Sequence, residues 1–182
     1  MHLFYRLTES DPLHGFDLPG SFSGEFWAPG WFRLRPRGLK ILPYATWSLL
    51  HLTGCFANRD FRLYLIREGD RIAHLSAVIP GSFRFPFMGS QDLQIGSTWT
   101  HPEYQRRGLA TAAASTVIAQ MRGKGRAFWY FTDSDNPASV RVAQRVGFVR
   151  VGTGHRVNPL GLRWLGHWVV SEASSVATEP GR

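Results

Sequence analysis

The stretch His101-Pro-Glu-Tyr-Gln105-Arg-Arg-Gly108-Leu-Ala110 constrains this chain more than any other, because it joins a β-like run to a helical run through a polar turn. Leu93, Ile95 and the β-favouring Ser97-Thr98-Trp99-Thr100 predict a strand before it. After it, Leu109 to Arg122 places apolar residues at 109, 113, 117 and 121 and again at 110, 114 and 118, the spacing of one buried helical stripe. The first turn of a helix carries backbone N–H groups without partners, and the aligned peptide dipoles add partial positive charge there. Gly108 removes a Cβ from the approach to that turn, Ala110 keeps the next close position small, and Arg106 and Arg107 add full charges. The junction therefore predicts a phosphate site.

A second element lies downstream. Ala127-Phe-Trp-Tyr-Phe-Thr132 reads as a hydrophobic strand, followed by Asn136-Pro-Ala-Ser139-Val-Arg-Val-Ala-Gln-Arg-Val-Gly147-Phe148. Asn136 suits the N-cap of a helix, Pro137 its first position, and Gly147 the left-handed residue past its last turn.

The pair of motifs, Gln105-x-x-Gly108-x-Ala110 and the Asn136-x-x-Ser139 helix ending in Gly147-Phe148, resembles the acetyl-CoA signature of the GCN5-related N-acetyltransferase (GNAT) superfamily over residues 60 to 155. The resemblance implies an α/β (α+β) fold, a single domain with a mixed, centrally splayed β-sheet flanked by helices. It implies acetyl-CoA as co-substrate, with the pantetheine arm in the gap beside Thr98, Trp99 and Thr100. The phosphates are then expected on Gln105, Arg106, Arg107, Gly108, Leu109, Ala110 and Thr111. Asn136 and Ser139 are expected near the pantetheine or acetyl end; from local chemistry alone Asn136 also reads as a cap and Ser139 as an exposed first-turn residue. The domain is expected over residues 1–170, with 1–60 on the acceptor side and 60–155 as the acetyl-CoA core, and with a flexible polar tail at 171–182.

Acetyl transfer requires a deprotonated amine, stabilisation of the oxyanion and a proton for the departing thiolate. At the two positions where the family commonly carries groups for this work, the chain departs from the pattern. The helical tyrosine four residues after the motif serine is Ala143, and the glutamate before the phosphate turn falls on Gln94. The catalytic candidates are then His101, Asp133 and Asp92, with Glu103 and Asp135 also near the gap, and Tyr104 and Tyr130 as proton donors. His101 has the right titration range, although its place before Pro102 also suits a turn residue, and Tyr130 within an apolar strand also suits the core.

The rest of the chain sets bounds. A hydrophobic content of 43% excludes wholesale disorder, and the single cysteine, Cys55, cannot form an internal disulfide. No apolar run is long enough for a signal peptide or a bilayer span, which makes the cytoplasm the expected location and a membrane partner unexpected. The seven histidines show no ligand spacing, so no metal is expected. The net charge of +8 favours anionic partners, and CoA phosphates account for part of it. The charges are dispersed, so nucleic acid is disfavoured. The densest basic run, Arg33-Leu-Arg-Pro-Arg-Gly-Leu-Lys40, reads as a solvated loop. Residues 61–67 and 71–79 predict a hairpin, 42–55 a helix and 162–170 a last strand, while Phe83 to Met88 is a loop that either covers the core or lines an acceptor pocket. The function expected is an N-acetyltransferase acting on a primary amine of a small molecule, such as an amino sugar, by direct attack in a ternary complex; the alternative is a non-catalytic acyl-CoA-binding or sensor module. A homodimer is compatible with either.

Overall fold

In the computed structural model, which describes residues 1–33, 35–39, 42–162 and 166–172, one mixed sheet runs through the molecule. In chain order the elements are β1 (His2–Leu7), β2 (Ser23–Trp27), α1 (Leu42–Leu52), β3 (Arg62–Glu68), β4 (Arg71–Pro80), β5 (Leu93–Thr100), α2 (Leu109–Met121), β6 (Phe128–Asp133), α3 (Pro137–Val146), β7 (Val149–Val157) and β8 (His167–Glu172). Across the sheet the order is β2-β3-β4-β5-β6-β1-β7-β8. Every neighbouring pair is antiparallel except β5 and β6, whose parallel pairing requires the crossover that α2 supplies.

Alternation along the strands sorts the core onto two faces. On one, Leu93, Ile95, Phe128 and Tyr130 pack beneath Leu109, Ala113 and Val117 of α2 and Ala143 and Val146 of α3. On the other, Leu63, Leu65, Leu75, Ala77 and Ile79 pack with Trp27, Phe56 and Phe61, and with Trp47 and Leu50 of α1. The Phe83–Met88 loop covers this second face: Phe85 sits 5.4 Å from the Phe131 ring, and Phe87 lies 4.9 Å from Trp129 and 5.6 Å from Phe4.

The expected hairpin is β3–β4, and the helix expected over 42–55 ends at Leu52. The last strand is shifted, running His167–Glu172 after a short 3-10 turn at Pro159–Gly161; residues 163–165 of the expected range lie outside the described residues. Ser171 and Glu172 thus belong to β8, and the remainder of the expected tail, 173–182, also lies outside them. The first forty residues contribute two strands, β1 and β2. β1 slots between β6 and β7, antiparallel to both, with Leu3, Tyr5 and Leu7 facing the α2–α3 side and Phe4 facing the other.

The centre of the sheet opens. Only Leu93↔Phe128, Gln94↔Trp129 and Ile95↔Tyr130 pair across β5 and β6. Beyond them β5 carries one extra residue against β4, between Ala77↔Gly96 and Leu75↔Trp99, and Ser97 takes a left-handed φ of 46°. Such a bulge bends and twists the strand that bears it, and here β5 leaves β6 from that point on. At the closed end, buried Asp92 accepts hydrogen bonds from the Gly89 N–H at 2.9 Å, the Ala127 N–H at 2.9 Å and the Trp129 indole N–H at 2.8 Å. Asp92 was a catalytic candidate; the structure places it at the start of β5, away from the opening, where it ties together the two strands that later part. Asp92→Ala leaves those donors without an acceptor and is expected to lower stability by about 2–4 kcal/mol, read as a reduced urea midpoint.

Candidate functional site

Past Ile95 and Tyr130 no strand pairs with the β6-facing side of β5, and a groove of about 720 Å³ occupies the space between β5, the start of α2 and α3. Of the residues expected to hold the cofactor, Thr98, Trp99, Thr100, Gln105, Arg106, Gly108, Leu109, Ala110, Thr111, Asn136 and Ser139 all line it. Arg107 does not; its guanidinium lies 5.3 Å over the Tyr104 ring.

The turn is anchored at both ends. The His101 N–H donates to Ala73 O at 2.9 Å, and the Tyr104 hydroxyl donates to Glu68 at 2.9 Å. Between them and the helix, Arg106 and Gly108 take left-handed φ values of 62° and 79°. Alternating left-handed residues turn successive N–H groups toward one concavity, an arrangement that favours anions. No side chain caps α2, and its Ala112 N–H already reaches Gly108 O at 3.0 Å. The N–H groups of Leu109, Ala110 and Thr111 are therefore the unpartnered first-turn donors, and all three residues face the groove. Arg141 and Arg145, one helical turn apart on α3, add positive charge on the opposite wall. Their i, i+4 spacing was visible in the sequence, but nothing there aimed them at the turn.

At the start of α3 the Asn136 side chain accepts the Ser139 N–H at 3.1 Å, so it caps the helix while still lining the groove. Gly147 ends the helix at φ 106°, and a Cβ there would meet the Pro12 carbonyl oxygen at 2.6 Å. Tyr130 and Ser139 share a hydrogen bond of 2.8 Å between their hydroxyls. The Tyr130 ring belongs to the core, as its apolar strand suggests, yet its hydroxyl opens on the groove, and burial pushes its pKa above the ordinary tyrosine value. Ala143 is fully buried and offers only a methyl group.

Gln94 pairs with Ile79 and Trp129 and so stands on the face opposite α2 and α3, one residue before the fork. It is 9% exposed, and its carbonyl Oε1 has no hydrogen-bond partner among the described residues. Gly96 makes room for the folded side chain, since a Cβ at 96 would stand 2.8 Å from Gln94 Nε2. Tyr104 also lines the groove, with its hydroxyl engaged by Glu68, whereas His101, Glu103, Asp133 and Asp135 are not among the lining residues. The His101 ring accepts the Glu103 N–H at 3.4 Å within its own turn, Asp133 pairs with His2 at 2.8 Å, and Glu103 pairs with Arg71 at 3.0 Å. Among the described residues no group of three potential ligands could hold a metal, and no helix is long and apolar enough to cross a membrane.

A sheet forked at its one parallel pair, with an uncapped helix start and a left-handed turn at the mouth of the fork, defines the acetyltransferase class of α/β fold. The chain belongs to the GNAT family: the sequence model of the Acetyltransferase (GNAT) family matches residues 25–148. The fold is similar to that of a GCN5-related N-acetyltransferase from Sphaerobacter thermophilus, with a TM-score of 0.58 at 14% identity, covering 82% of this chain and 48% of that one. It is also similar to a GNAT-family protein from Novosphingobium aromaticivorans, at a TM-score of 0.50 and 22% identity over 81% of this chain and 59% of that one. The ribosomal-protein-S18-alanine N-acetyltransferase of Escherichia coli has a TM-score of 0.50 at 14% identity, over 74% of this chain and 82% of that one. No curated protein matches the chain. The chain spans about half to three-fifths of the length of the first structures it resembles.

The strand beside the groove is held by a buried polar chain. His74 bonds Thr100 Oγ1 through Nδ1 at 2.7 Å and Ser76 Oγ through Nε2 at 2.9 Å, and Ser76 Oγ lies 3.3 Å from Thr98 Oγ1. Burial lowers the His74 pKa from 6.5 to about 4, so the folded state keeps the ring neutral where an unfolded chain would protonate it. The folded pKa is depressed, so this contribution is complete above pH 6.5 and is lost as pH falls toward 4, a change of roughly 3 kcal/mol. The urea midpoint is expected to drop across that window, and His74→Gln, which keeps a hydrogen-bonding side chain without the titration, is expected to flatten the drop.

Proposed function

We propose that this chain transfers acetyl from acetyl-CoA to a primary amine of a small molecule, the two substrates meeting in the fork between β5 and β6. The observation that carries the reading is the coincidence of an anion turn with an unpaired strand edge in one groove, which suits a ligand with phosphates at one end and an amide-bearing arm at the other. Leu109, Ala110 and Thr111 would receive phosphate on their backbone N–H groups, with Arg106, Arg141 and Arg145 supplying countercharge. The unpaired backbone of β5 around Thr98 to Thr100 would hold the arm, and Asn136 and Ser139 would face its inner end. When bound, acetyl-CoA supplies an activated acetyl thioester.

The proton chemistry then falls to residues other than the first candidates. Tyr130 keeps its proton at neutral pH, because burial disfavours the phenolate, and its hydroxyl lies at the closed end of the groove within reach of Ser139. Side chains on a helix lean toward its N-terminus, so a tyrosine at 143 would reach the turn that holds Ser139; Tyr130 brings a hydroxyl to that turn from the strand instead. It is the donor best placed to protonate a departing thiolate. On the other face Gln94 stands where a glutamate would serve as a base, and its amide cannot take a proton from the incoming amine. The amine must then arrive neutral, and much of the acceleration would come from positioning. The non-catalytic alternative drew its weight from the absence of a tyrosine at 143 and a glutamate at 94, and Tyr130 removes half of that argument.

Release of CoA from acetyl-CoA against a panel of amines tests the reading; because one structural relative is named for acting on a protein alanine, the panel should include a peptide with an N-terminal alanine. Turnover with a small amine supports it, and binding of CoA with no turnover on any amine replaces it with the binding-module alternative. Gly108→Glu places bulk and negative charge in the turn, at a left-handed position, and is expected to weaken CoA binding at least about tenfold, or 1.4 kcal/mol, with the thermal midpoint as a control for folding. Tyr130→Phe is expected to lower kcat by roughly 10²-fold while leaving the CoA dissociation constant within about twofold, a split that a purely structural tyrosine would not produce.

A further inference from the structure

The larger of the two cavities described lies elsewhere, and the basic run at 33–37 builds it. Its volume is about 1090 Å³, bounded by Glu25 and Trp27 of β2, Arg67 of β3, Asp70 of the β3–β4 turn, and the loop residues 31–33 and 35–38. Arg67 is its structural post: it pairs with Glu25 at 2.7 Å and donates to the carbonyl of Arg37 at 2.9 Å, tying the loop to the sheet. The other three arginines of the wall, Arg33, Arg35 and Arg37, have no carboxylate at ion-pair distance among the described residues. Three cations within five residues repel one another, and an anion in the cavity would relieve that repulsion.

The aromatic groups of the same wall are displayed rather than left over. Gly30 and Arg33 exchange two backbone hydrogen bonds, at 3.1 and 2.9 Å, closing a tight turn with Trp31 and Phe32 at its tip. The two side chains are 70% and 102% exposed, although Pro36 and Trp27 nearby are buried. A hydrogen-bonded turn that holds two large rings in water beside unpaired guanidinium groups suits a ligand that has a ring and an anionic group together.

The register connects this cavity to the fork. Glu25 pairs with Leu65, Leu65 with Leu75, and Leu75 with Trp99, so the four residues form one row on one face of the sheet. Trp99 lines the groove at the fork and Glu25 lines the second cavity. Three strand spacings separate them, about 14 Å in all. The face is the one that carries Gln94, opposite α2 and α3.

Resting on the acetyl-transfer reading, we infer that this cavity binds the far end of the acceptor, and that the acceptor is an elongated amine carrying a ring and a phosphate or carboxylate about three strand spacings from its amino group. Cationic polyamines, which the three arginines repel, are excluded as good acceptors. The same charge serves as a filter: an uncharged amine gains nothing from it.

The test compares aminohexyl adenosine monophosphate with aminohexyl adenosine, which share amine and ring and differ in the phosphate. Binding is measured by calorimetry on the full chain saturated with CoA, so that neither probe reads the cofactor groove. The expected result is tighter binding of the phosphorylated probe by at least about tenfold, the weight of a charge-assisted contact. Replacing Arg33, Arg35 and Arg37 together by Gln is expected to abolish that preference while leaving the CoA affinity unchanged, whereas Arg150→Gln, an exposed charge on β7, is expected to leave the preference intact. Equal binding of the two probes to the unaltered protein, or an undiminished preference in the triple variant, overturns the inference. Tight, arginine-dependent binding of the phosphorylated probe without CoA release from acetyl-CoA on any amine upholds the anion site and defeats the acetyl-transfer reading instead.

Discussion

The three-residue parallel pairing of β5 with β6 is the constraint on which the rest of the molecule depends. Asp92 fixes where it begins, by holding backbone and indole donors from the β6 side and the loop before β5. The bulge at Ser97 fixes where it ends. A pairing any longer would close the groove, and one any shorter would leave two half-sheets with little in common. The fork is thus a balance between a buried carboxylate that gathers the strands and a single extra residue that parts them.

What stands around the fork follows from it. On the α2–α3 side lie the left-handed turn, the unpartnered N–H groups of α2 and the hydroxyl pair of Tyr130 and Ser139. On the opposite side lie Gln94, the aromatic cover of Phe85 and Phe87, and, further along the same face, the arginine and tryptophan cavity. The two sides are separated by the thickness of one sheet and communicate only where that sheet is open. Beside the opening, the His74 chain stiffens β5 just past its bulge through Thr98 and Thr100, at the cost of a buried imidazole that must stay neutral.

Much of this was legible in the residues. The turn at Gln105 to Ala110, the caps of α3 at Asn136 and Gly147, and the β3–β4 hairpin all rest on local backbone chemistry, which sequence carries directly. β1 was missed because a strand buried on both faces shows no alternation, and β2 because its five residues sit in a stretch rich in glycine, proline and aromatics. The surroundings of Asp92 and Tyr130 were not legible for a common reason. A carboxylate before a strand and a tyrosine inside an apolar strand carry no record of their partners, and only the folded chain brings Asp92 to the Trp129 indole and the Tyr130 hydroxyl to Ser139.

By itself, then, the sequence determined the turn and helix start at Gln105 to Thr111, which depend on φ preferences, small residues and hydrogen-bond inventories within about ten residues of chain, and those are local properties. Only the tertiary structure decided which side chains meet across the fork. The Asp92 clamp and the placing of Gln94 opposite α2 and α3 arise from strand register, which distant segments set by packing together; Tyr130 meets Ser139 because α3 folds back onto β6, and Arg67 of β3 ties down the loop at Arg37. A one-residue slip would carry Gln94 and Tyr130 to the wrong face.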